Sequence, residues 1–153
     1  MNDCLLIIDP QRDFTSPEGF YASKHKISNI TNAKKNINEL LQGLNNIIPV
    51  VIVYSDYGIN QFCGNMSMCI PGTEGHEMDI ERNDGYTYFP KKEHSAFTSS
   101  DFRRHLKSND IKRIFIAGFL AEYCVRATAI DAIRNHFEVT LLWDCIGTGD
   151  EHQ

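Results

Sequence analysis

Cys124 is the residue best suited to nucleophilic chemistry, because of the elements predicted on either side of it. The run 114–117 before it is apolar and strand-like, and Gly118 provides a turn. After Cys124, apolar residues recur at helical spacing in an alanine-rich stretch without proline. A cysteine at the start of a helix lies near the positive end of the helix dipole, which lowers the thiol pKa and favours the nucleophilic thiolate. The alternative is a buried structural thiol, a common role of a free cysteine.

Two other segments place ionisable residues after strand-like runs. Asp9 directly follows the first apolar run of the chain, and Lys91 and Lys92 precede the Ser-Ala-Phe segment 95–97. Asp9 could instead cap the turn before Pro10, and the two lysines could simply be solvated. A carboxylate at the end of a buried strand must, however, be paired there, which favours a role for Asp9 in a crevice.

The elements that must position these residues alternate between strands and helices. Strands are predicted at 5–8, 48–54, 86–89, 113–117 and 139–143, and helices at 27–44, 101–107 and 124–135. This order predicts one α/β domain over 1–153, built on an open parallel sheet with helices on both faces. Asp9, Lys91 and Cys124 each follow a predicted strand, and open α/β sheets form their ligand crevice at that edge.

Composition narrows the classes of partner and the compartment. Hydrophobic residues make up 42% and charged residues 23% of the chain, which is typical of a soluble globular domain. The formal net charge of −5 argues against a nucleic-acid or anionic-membrane partner, and no apolar run approaches membrane-spanning length. The five cysteines are irregularly spaced and the N-terminus lacks a basic signal region, so we expect reduced thiols and a cytoplasmic location.

Three motifs in order resemble the cysteine hydrolases of the isochorismatase-like superfamily, which includes nicotinamidases and N-carbamoylsarcosine amidases. They are the strand ending in Asp9, the Lys-x-x-x-Ser-Ala-Phe segment that selects Lys91 over Lys92, and the strand-to-helix junction at Cys124. The resemblance implies that Asp9 is the general base and Cys124 the nucleophile, with Lys91 holding Asp9 and stabilising the thiolate. It also implies a further C-terminal helix and edge strand, for which we expect this chain to be short.

The resemblance also implies an oxyanion hole and an aromatic pocket. The donors of the oxyanion hole would be the backbone N–H groups of Leu120 and Cys124. They would follow a cis peptide bond, which by its position in the motif would be Phe119–Leu120. Four aromatic residues are expected to bind the substrate: Phe14, Tyr57, Phe62 and Tyr123.

The metal-binding pattern of nicotinamidases is incomplete in this chain. The loop 68–75 resembles the corresponding segment of the family, and Asp56 is present, but Gly58 and Met68 replace two histidines. An aspartate with glycine and methionine cannot complete a nitrogen and oxygen donor set, so we predict no metal and no other cofactor. The six histidines show no ligand spacing, and only His94 lies near the predicted crevice.

The leading functional hypothesis is a cysteine amidase that cleaves a small, planar amide or carbamoyl compound through a thioester. One alternative is an isochorismatase-type hydrolase of a vinyl ether, which does not require a nucleophilic cysteine. Another is a non-catalytic relative that serves as a binding or oligomerisation module. Relatives commonly form dimers or tetramers, so a homo-oligomer is expected.

Overall fold

Five parallel strands form one sheet in the computed structural model, which describes residues 2–149. The strands are β1 (Asp3–Ile8), β2 (Val50–Ser55), β3 (Thr87–Lys91), β4 (Arg113–Phe119) and β5 (Glu138–Gly147). Their order in the sheet is β3-β2-β1-β4-β5, and every neighbouring pair is parallel. The predicted open parallel sheet is therefore confirmed. Residue 1 and residues 150–153 of the predicted domain lie outside the described residues.

Helices cover both faces of the sheet. They are α1 (Arg12–Thr15), α2 (Ser28–Leu44), α3 (Ser100–Ser108) and α4 (Arg126–Arg134). The apolar stripe of α2, which includes Ile30 and Ile37, packs with one face of the sheet. Residues of α3 and α4, such as Phe102 and Ala132, pack with the other face. Among residues 2–149, no helix is long and apolar enough to cross a membrane.

β1 lies at the centre of the sheet, and its sequence reflects that position. Leu5 and Ile7 belong to the cluster under α2, whereas Leu6 and Ile8 belong to the cluster under α3 and α4. A strand buried on both faces requires a continuous apolar run instead of an alternating one. β1 therefore ends with its carboxyl edge in the middle of the molecule, and Asp9 follows there with a left-handed backbone (φ 51°).

Gly118 brings the end of β4 against the end of β1. Its φ is +119°, which side chains rarely adopt, and a Cβ on it would overlap the carbonyl oxygen of Ile8. The chain then continues into a π-helical turn, Ala121–Val125, before α4 begins at Arg126. The helix predicted to start at Cys124 is therefore corrected, because Cys124 lies inside the π-helical turn and not at the first turn of an α-helix.

The long segment between β2 and β3 is anchored by Asp13 of α1. Its side chain is buried, and it accepts hydrogen bonds from the backbone N–H of Cys69 at 2.7 Å and of Phe20 at 2.9 Å. Gly75 packs so closely on this carboxylate that a Cβ would overlap it. The irregular segment is thus held over the carboxyl edge of the sheet, where it forms one wall of a cavity.

Candidate active site

Asp9, Lys91 and Cys124 converge at the carboxyl edge of the sheet. Lys91 Nζ lies 3.2 Å from Asp9 Oδ2 and 3.3 Å from Cys124 Sγ. The exposed fractions of the three residues are 0%, 1% and 3% respectively. Parallel topology accounts for the convergence, because β1, β3 and β4 all deliver their carboxyl ends to this edge. The structure thus brings together the three residues that the sequence singled out, and their catalytic roles stay a prediction.

Lys91 is the hydrogen-bond donor around which the site is arranged. Its Nζ donates to Ser55 Oγ at 3.0 Å, to Tyr57 OH at 3.1 Å and to the carbonyl oxygen of Glu93 at 2.9 Å. Burial acts to lower the pKa of Lys91, but the Asp9 carboxylate and the contact with Cys124 outweigh burial, so its pKa lies above the ordinary value. Lys91 therefore keeps its proton and its charge at neutral pH.

Lys92 points away from the site. Its side chain is 71% exposed, and its Nζ lies 3.0 Å from Asp56 Oδ2. Successive residues of a strand point to opposite sides, which explains why only one of the two lysines at the end of β3 enters the site. The spacing that selected Lys91 agrees with this placement.

One oxygen of Asp9 is held and the other is available. Oδ1 accepts a hydrogen bond from Ser55 Oγ at 2.8 Å. Oδ2 is near Lys91 at the distance of an ion pair, but it has no hydrogen-bond donor among the described residues. An ionised carboxylate oxygen of this kind can accept a proton from a neighbouring thiol.

Gln11 and Ser55 fix the position of Asp9, and sequence reasoning missed both. Ser55 N donates to Gln11 Oε1 at 2.8 Å, and Gln11 Nε2 donates to the carbonyl oxygen of Ser55 at 2.8 Å. Both side chains are fully buried. The available signal was a polar residue soon after each of two apolar runs, Ser55 directly after the run 48–54 and Gln11 three residues after Ile8, since buried polar groups require partners.

The expected low pKa of Cys124 is wrong. Burial and the Asp9 carboxylate together raise the pKa of this thiol to about 12, and Lys91 only partly opposes them. The sequence argument relied on a helix dipole, but α4 begins two residues after Cys124 and the thiol is almost fully buried. Cys124 therefore keeps its proton at rest, and a thiolate forms only when a base removes that proton.

The backbone before Cys124 has the expected unusual bond. The peptide bond Phe119–Leu120 is cis. The carbonyl oxygen of Leu120 accepts hydrogen bonds from the N–H groups of Tyr123 and Val125 at 3.1 and 3.2 Å, which closes the turn. Leu120 and Cys124 both line the cavity, so their backbone lies beside the space where a substrate carbonyl would bind. Their role as oxyanion donors stays a prediction.

A cavity of about 440 Å³ opens above the thiol, and aromatic side chains dominate its wall. All four predicted pocket residues line it: Phe14, Tyr57, Phe62 and Tyr123. Tyr57 packs edge-on against Phe62 with ring centroids 4.8 Å apart, and its hydroxyl lies 3.5 Å from Cys124 Sγ. Burial raises the pKa of Tyr57, so this hydroxyl stays neutral. The wall is suited to a flat, mostly apolar ligand.

Further cavity residues come from parts of the chain to which the sequence assigned no role. The segment before α2 contributes Phe20, Tyr21, Lys24 and His25. His94 also lines the cavity, and its Nδ1 lies 3.7 Å from Cys124 Sγ. No sequence pattern marks the segment before α2, because its contribution depends on how α1 turns the chain across the sheet.

The residues in the region of the incomplete metal pattern do not fit a metal. Asp56 Oδ1 lies 2.9 Å from His76 Nε2, and its Oδ2 is paired with Lys92. Gly58 has no side chain, and Met68 contributes a thioether to the cavity wall. Within residues 2–149 there is no group of three or more potential ligands among histidine, cysteine, aspartate and glutamate. The Lys92 ammonium is therefore already bound to the Asp56 carboxylate, which a metal would need as a ligand.

The fold and the residues around Cys124 can be compared with known proteins. Residues 3–153 match the isochorismatase domain model, so the chain belongs to the isochorismatase family. It is 26% identical over 149 residues to the secreted isochorismatase effector Isc1 of Verticillium dahliae. The aligned residues cover 95% of this chain and 73% of that protein.

Solved structures of several amidases share the fold. The nicotinamidase PncA from Bacillus subtilis has a TM-score of 0.86 at 22% identity, covering 99% of this chain and 89% of that one. The pyrazinamidase of Pyrococcus horikoshii in complex with zinc has a TM-score of 0.86 at 26% identity, with the same coverage. The N-carbamoylsarcosine amidase from Thermoplasma acidophilum has a TM-score of 0.77 at 24% identity, covering 97% and 85%.

Proposed function

We propose that this protein hydrolyses the C–N bond of a small amide or carbamoyl compound through Cys124. One observation carries the proposal: the Lys91 ammonium lies in contact both with the Cys124 thiol and with a carboxylate oxygen of Asp9, at the base of an aromatic cavity. A nucleophile beside a base that a third group holds in place is the arrangement that covalent catalysis requires.

In the first half-reaction, Asp9 Oδ2 removes the proton of Cys124 as the sulfur attacks the substrate carbonyl carbon. The oxygen of that carbonyl becomes an oxyanion and accepts hydrogen bonds from the N–H groups of Leu120 and Cys124. The tetrahedral intermediate then breaks its C–N bond, and Asp9 returns the proton to the leaving nitrogen. Ammonia or an amine departs, and the acyl group remains on sulfur as a thioester.

The high pKa of Cys124, about 12, gives Asp9 its importance in this scheme. A thiol that keeps its proton at neutral pH needs a base in contact with it at the moment of attack. Lys91 stays charged throughout, and it stabilises the sulfur as negative charge develops there. The site thus withholds the thiolate until a substrate carbonyl is in place.

The size and lining of the cavity support a small, planar substrate. Aromatic rings on several sides favour a flat ligand, and 440 Å³ lies in the lower part of the range for small-molecule sites. The structural neighbours include a nicotinamidase, a pyrazinamidase and an N-carbamoylsarcosine amidase, which supports an amide or carbamoyl group as the reacting part. We infer that the reaction here needs no metal, because Asp56 is already paired with His76 and Lys92.

Vinyl ether hydrolysis of the isochorismatase type is the second candidate. The match to the isochorismatase domain favours this reaction. The cavity wall also contains Lys24 and His25, and these cationic or ionisable side chains suit a substrate that carries a carboxylate. That reaction does not need a nucleophilic sulfur. A Cys124→Ala variant therefore distinguishes the two activities, since only amide hydrolysis requires the thiol.

A screen of small aromatic and aliphatic amides for ammonia release tests the proposed function. We expect release by the unaltered protein, loss in Cys124→Ala, and retention in the matched control Cys145→Ala, whose buried thiol belongs to the core. Treatment with a chelator and subsequent addition of zinc should leave the rate unchanged. Ammonia release that persists in Cys124→Ala, or no release from any amide, would overturn the proposal.

The compartment is a further part of the proposal. We propose a cytoplasmic protein that acts on a small molecule and binds neither nucleic acid nor membrane. All five cysteines are free thiols, and the net charge of −5 disfavours anionic partners, which supports this view. Cell fractionation of the tagged protein tests the location, and recovery from the culture medium would contradict it.

A further inference from the structure

His94 lies at the thiol but on a different side from Asp9. Its Nδ1 is 3.7 Å from Cys124 Sγ, and its ring stacks between Phe62 and Tyr123, with centroid distances of 5.3 and 5.8 Å. His94 lines the cavity, whereas Asp9 is fully buried and does not. The sulfur is therefore contacted by one acid–base group below it and by a second in the cavity wall.

The second half-reaction needs a base that reaches the attacking water. Once the acyl group is attached to Cys124, the water that hydrolyses the thioester must arrive through the cavity, because the floor of the site is closed. Asp9, which gives its proton to the leaving nitrogen in the first half-reaction, is the alternative base, but it is fully buried and is not among the residues that line the cavity. His94 is the imidazole that reaches both the cavity and the sulfur.

We propose that His94 is the general base for hydrolysis of the thioester, a role that rests on the proposed function and deepens it. Nδ1 removes a proton from water as the water oxygen attacks the thioester carbonyl carbon. The tetrahedral intermediate then breaks its C–S bond, and the sulfur recovers the proton from Nδ1, which lies 3.7 Å away. The products are a carboxylic acid and the free thiol, so one water molecule is consumed and no other reactant is needed.

The surroundings of His94 keep its ring in the form that a base requires. Burial lowers the pKa of His94, the positive charge of Lys91 lowers it further, and Asp9 and Glu93 oppose this only in part. The ring is therefore neutral at neutral pH. Stacking against Phe62 and Tyr123 fixes its plane, so that Nδ1 stays directed at the sulfur.

An activated ester separates the two half-reactions without knowledge of the natural substrate. With p-nitrophenyl acetate, nitrophenolate release reports acylation of Cys124, and the later steady rate reports hydrolysis of the acetyl thioester. In His94→Phe, which keeps a stacked ring but lacks both nitrogens, we expect a burst of about one nitrophenolate per chain. The following steady rate should fall by about 10²-fold, the scale of general-base catalysis. Intact mass spectrometry should show one acetyl group that accumulates on Cys124.

Two comparisons make the result specific. His105→Phe is the matched control, because His105 packs against Phe89 away from the thiol, and it should leave both phases unchanged. In His94→Ala, added imidazole should restore the steady rate, because the space between Phe62 and Tyr123 can admit it. The steady rate of the unaltered protein should fall in acid, at a pH below the ordinary range for histidine, as the ring gains a proton, and that dependence should disappear in His94→Phe.

The outcomes distinguish the inference from the function on which it rests. Equal loss of burst and steady rate in His94→Phe, or no loss in either, would overturn the role of His94 while leaving Cys124 as the nucleophile. Absence of acetylation at Cys124 in the unaltered protein would overturn the proposed function itself.

Discussion

At the scale of single residues, the chemistry of the site depends on which atom holds the proton of Cys124. The thiol has a high pKa because it is buried beside a carboxylate, and the neighbouring ammonium only partly compensates. Removing the charge of Asp9 or of Lys91 should therefore change the pKa of Cys124 in a direction that follows from the sign of that charge.

The first prediction concerns the pH dependence of thiol reactivity. Because the pKa of Cys124 is raised to about 12, the thiolate fraction grows with every step in pH below that value. Iodoacetamide labelling of Cys124 should therefore accelerate continuously from neutral pH to pH about 10, as mapped by mass spectrometry of the labelled peptide. A plateau near neutrality would mean that the thiolate is the resting form.

The second prediction is that Asp9→Asn changes the rate of Cys124 alkylation and the rate of amide hydrolysis in opposite directions. Loss of the carboxylate removes a charge that raises the pKa of Cys124, so alkylation at pH about 8 should become faster. Loss of the base should slow amide hydrolysis by about 10²-fold or more. Asp56→Asn is the matched control, because Asp56 pairs with His76 and Lys92 instead of the site. Parallel changes in the two rates would contradict the role of Asp9 as base.

The third prediction compares two adjacent lysines. Lys91→Met removes the charge that lowers the pKa of Cys124, so iodoacetamide labelling of Cys124 near neutral pH should slow by about tenfold or more. Lys92→Met should change it little, because that side chain is exposed and pairs with Asp56. Time courses of labelling measure both variants. Equal slowing of Cys124 labelling in the two variants would contradict the prediction, because it would mean that the direction in which each lysine points does not matter.

At the scale of elements, the site depends on the close approach of β4 to β1. Gly118 permits this approach, and the cis bond and the π-helical turn follow directly after it. The turn places Cys124 Sγ over the end of β3, within 3.3 Å of Lys91 Nζ. A shift of the end of β4 would therefore move the nucleophile relative to Lys91 without any change in the reacting residues.

The fourth prediction tests this dependence. Gly118→Ala would place a Cβ on the Ile8 carbonyl oxygen at a φ of +119°, so the free energy of unfolding should fall by about 3 kcal/mol. Gly43→Ala in α2 is the control, since a Cβ there meets nothing within 4 Å, and it should raise stability by about 0.5–1 kcal/mol. Urea denaturation measures both. Similar stability of the two variants would refute the packing argument.

At the scale of the whole molecule, the sheet has one edge that carries large exposed side chains. β5 ends the strand order, and its Leu141 and Trp143 are 47% and 82% exposed. Unpaired strand edges and exposed apolar residues are common sites of association. We therefore expect a homo-oligomer to form through this edge of the sheet.

The fifth prediction is that the protein self-associates and that Trp143→Glu weakens this association. Size-exclusion chromatography with light scattering should give the mass of a dimer or tetramer for the unaltered chain and a lower mass for the variant. Ile59→Glu is the control, because Ile59 is 74% exposed but lies in the segment between β2 and β3. A monomer in the unaltered protein would contradict the prediction.

The sequence alone determined the sheet and the residues at its carboxyl edge. Continuous apolar runs mark strands buried on both faces, and an ionisable residue directly after such a run must lie at the edge of the sheet. This rule placed Asp9 at the edge, whereas Lys91 and Cys124 were selected by motifs that resemble those of the family, whose spacing also separated Lys91 from Lys92. Apolar runs and motif spacing involve residues that are close in the chain, so they can be read from the sequence.

Tertiary structure decided the protonation of the site and the wall of the cavity. The pKa of Cys124 depends on its burial and on charges contributed by β1 and β3, so the helix that follows in sequence was a poor guide to it. The support of Asp9 by Gln11 and Ser55 and the position of His94 joined residues far apart in the chain. Electrostatic and packing energies depend on distance in space, which no pattern of neighbouring residues records.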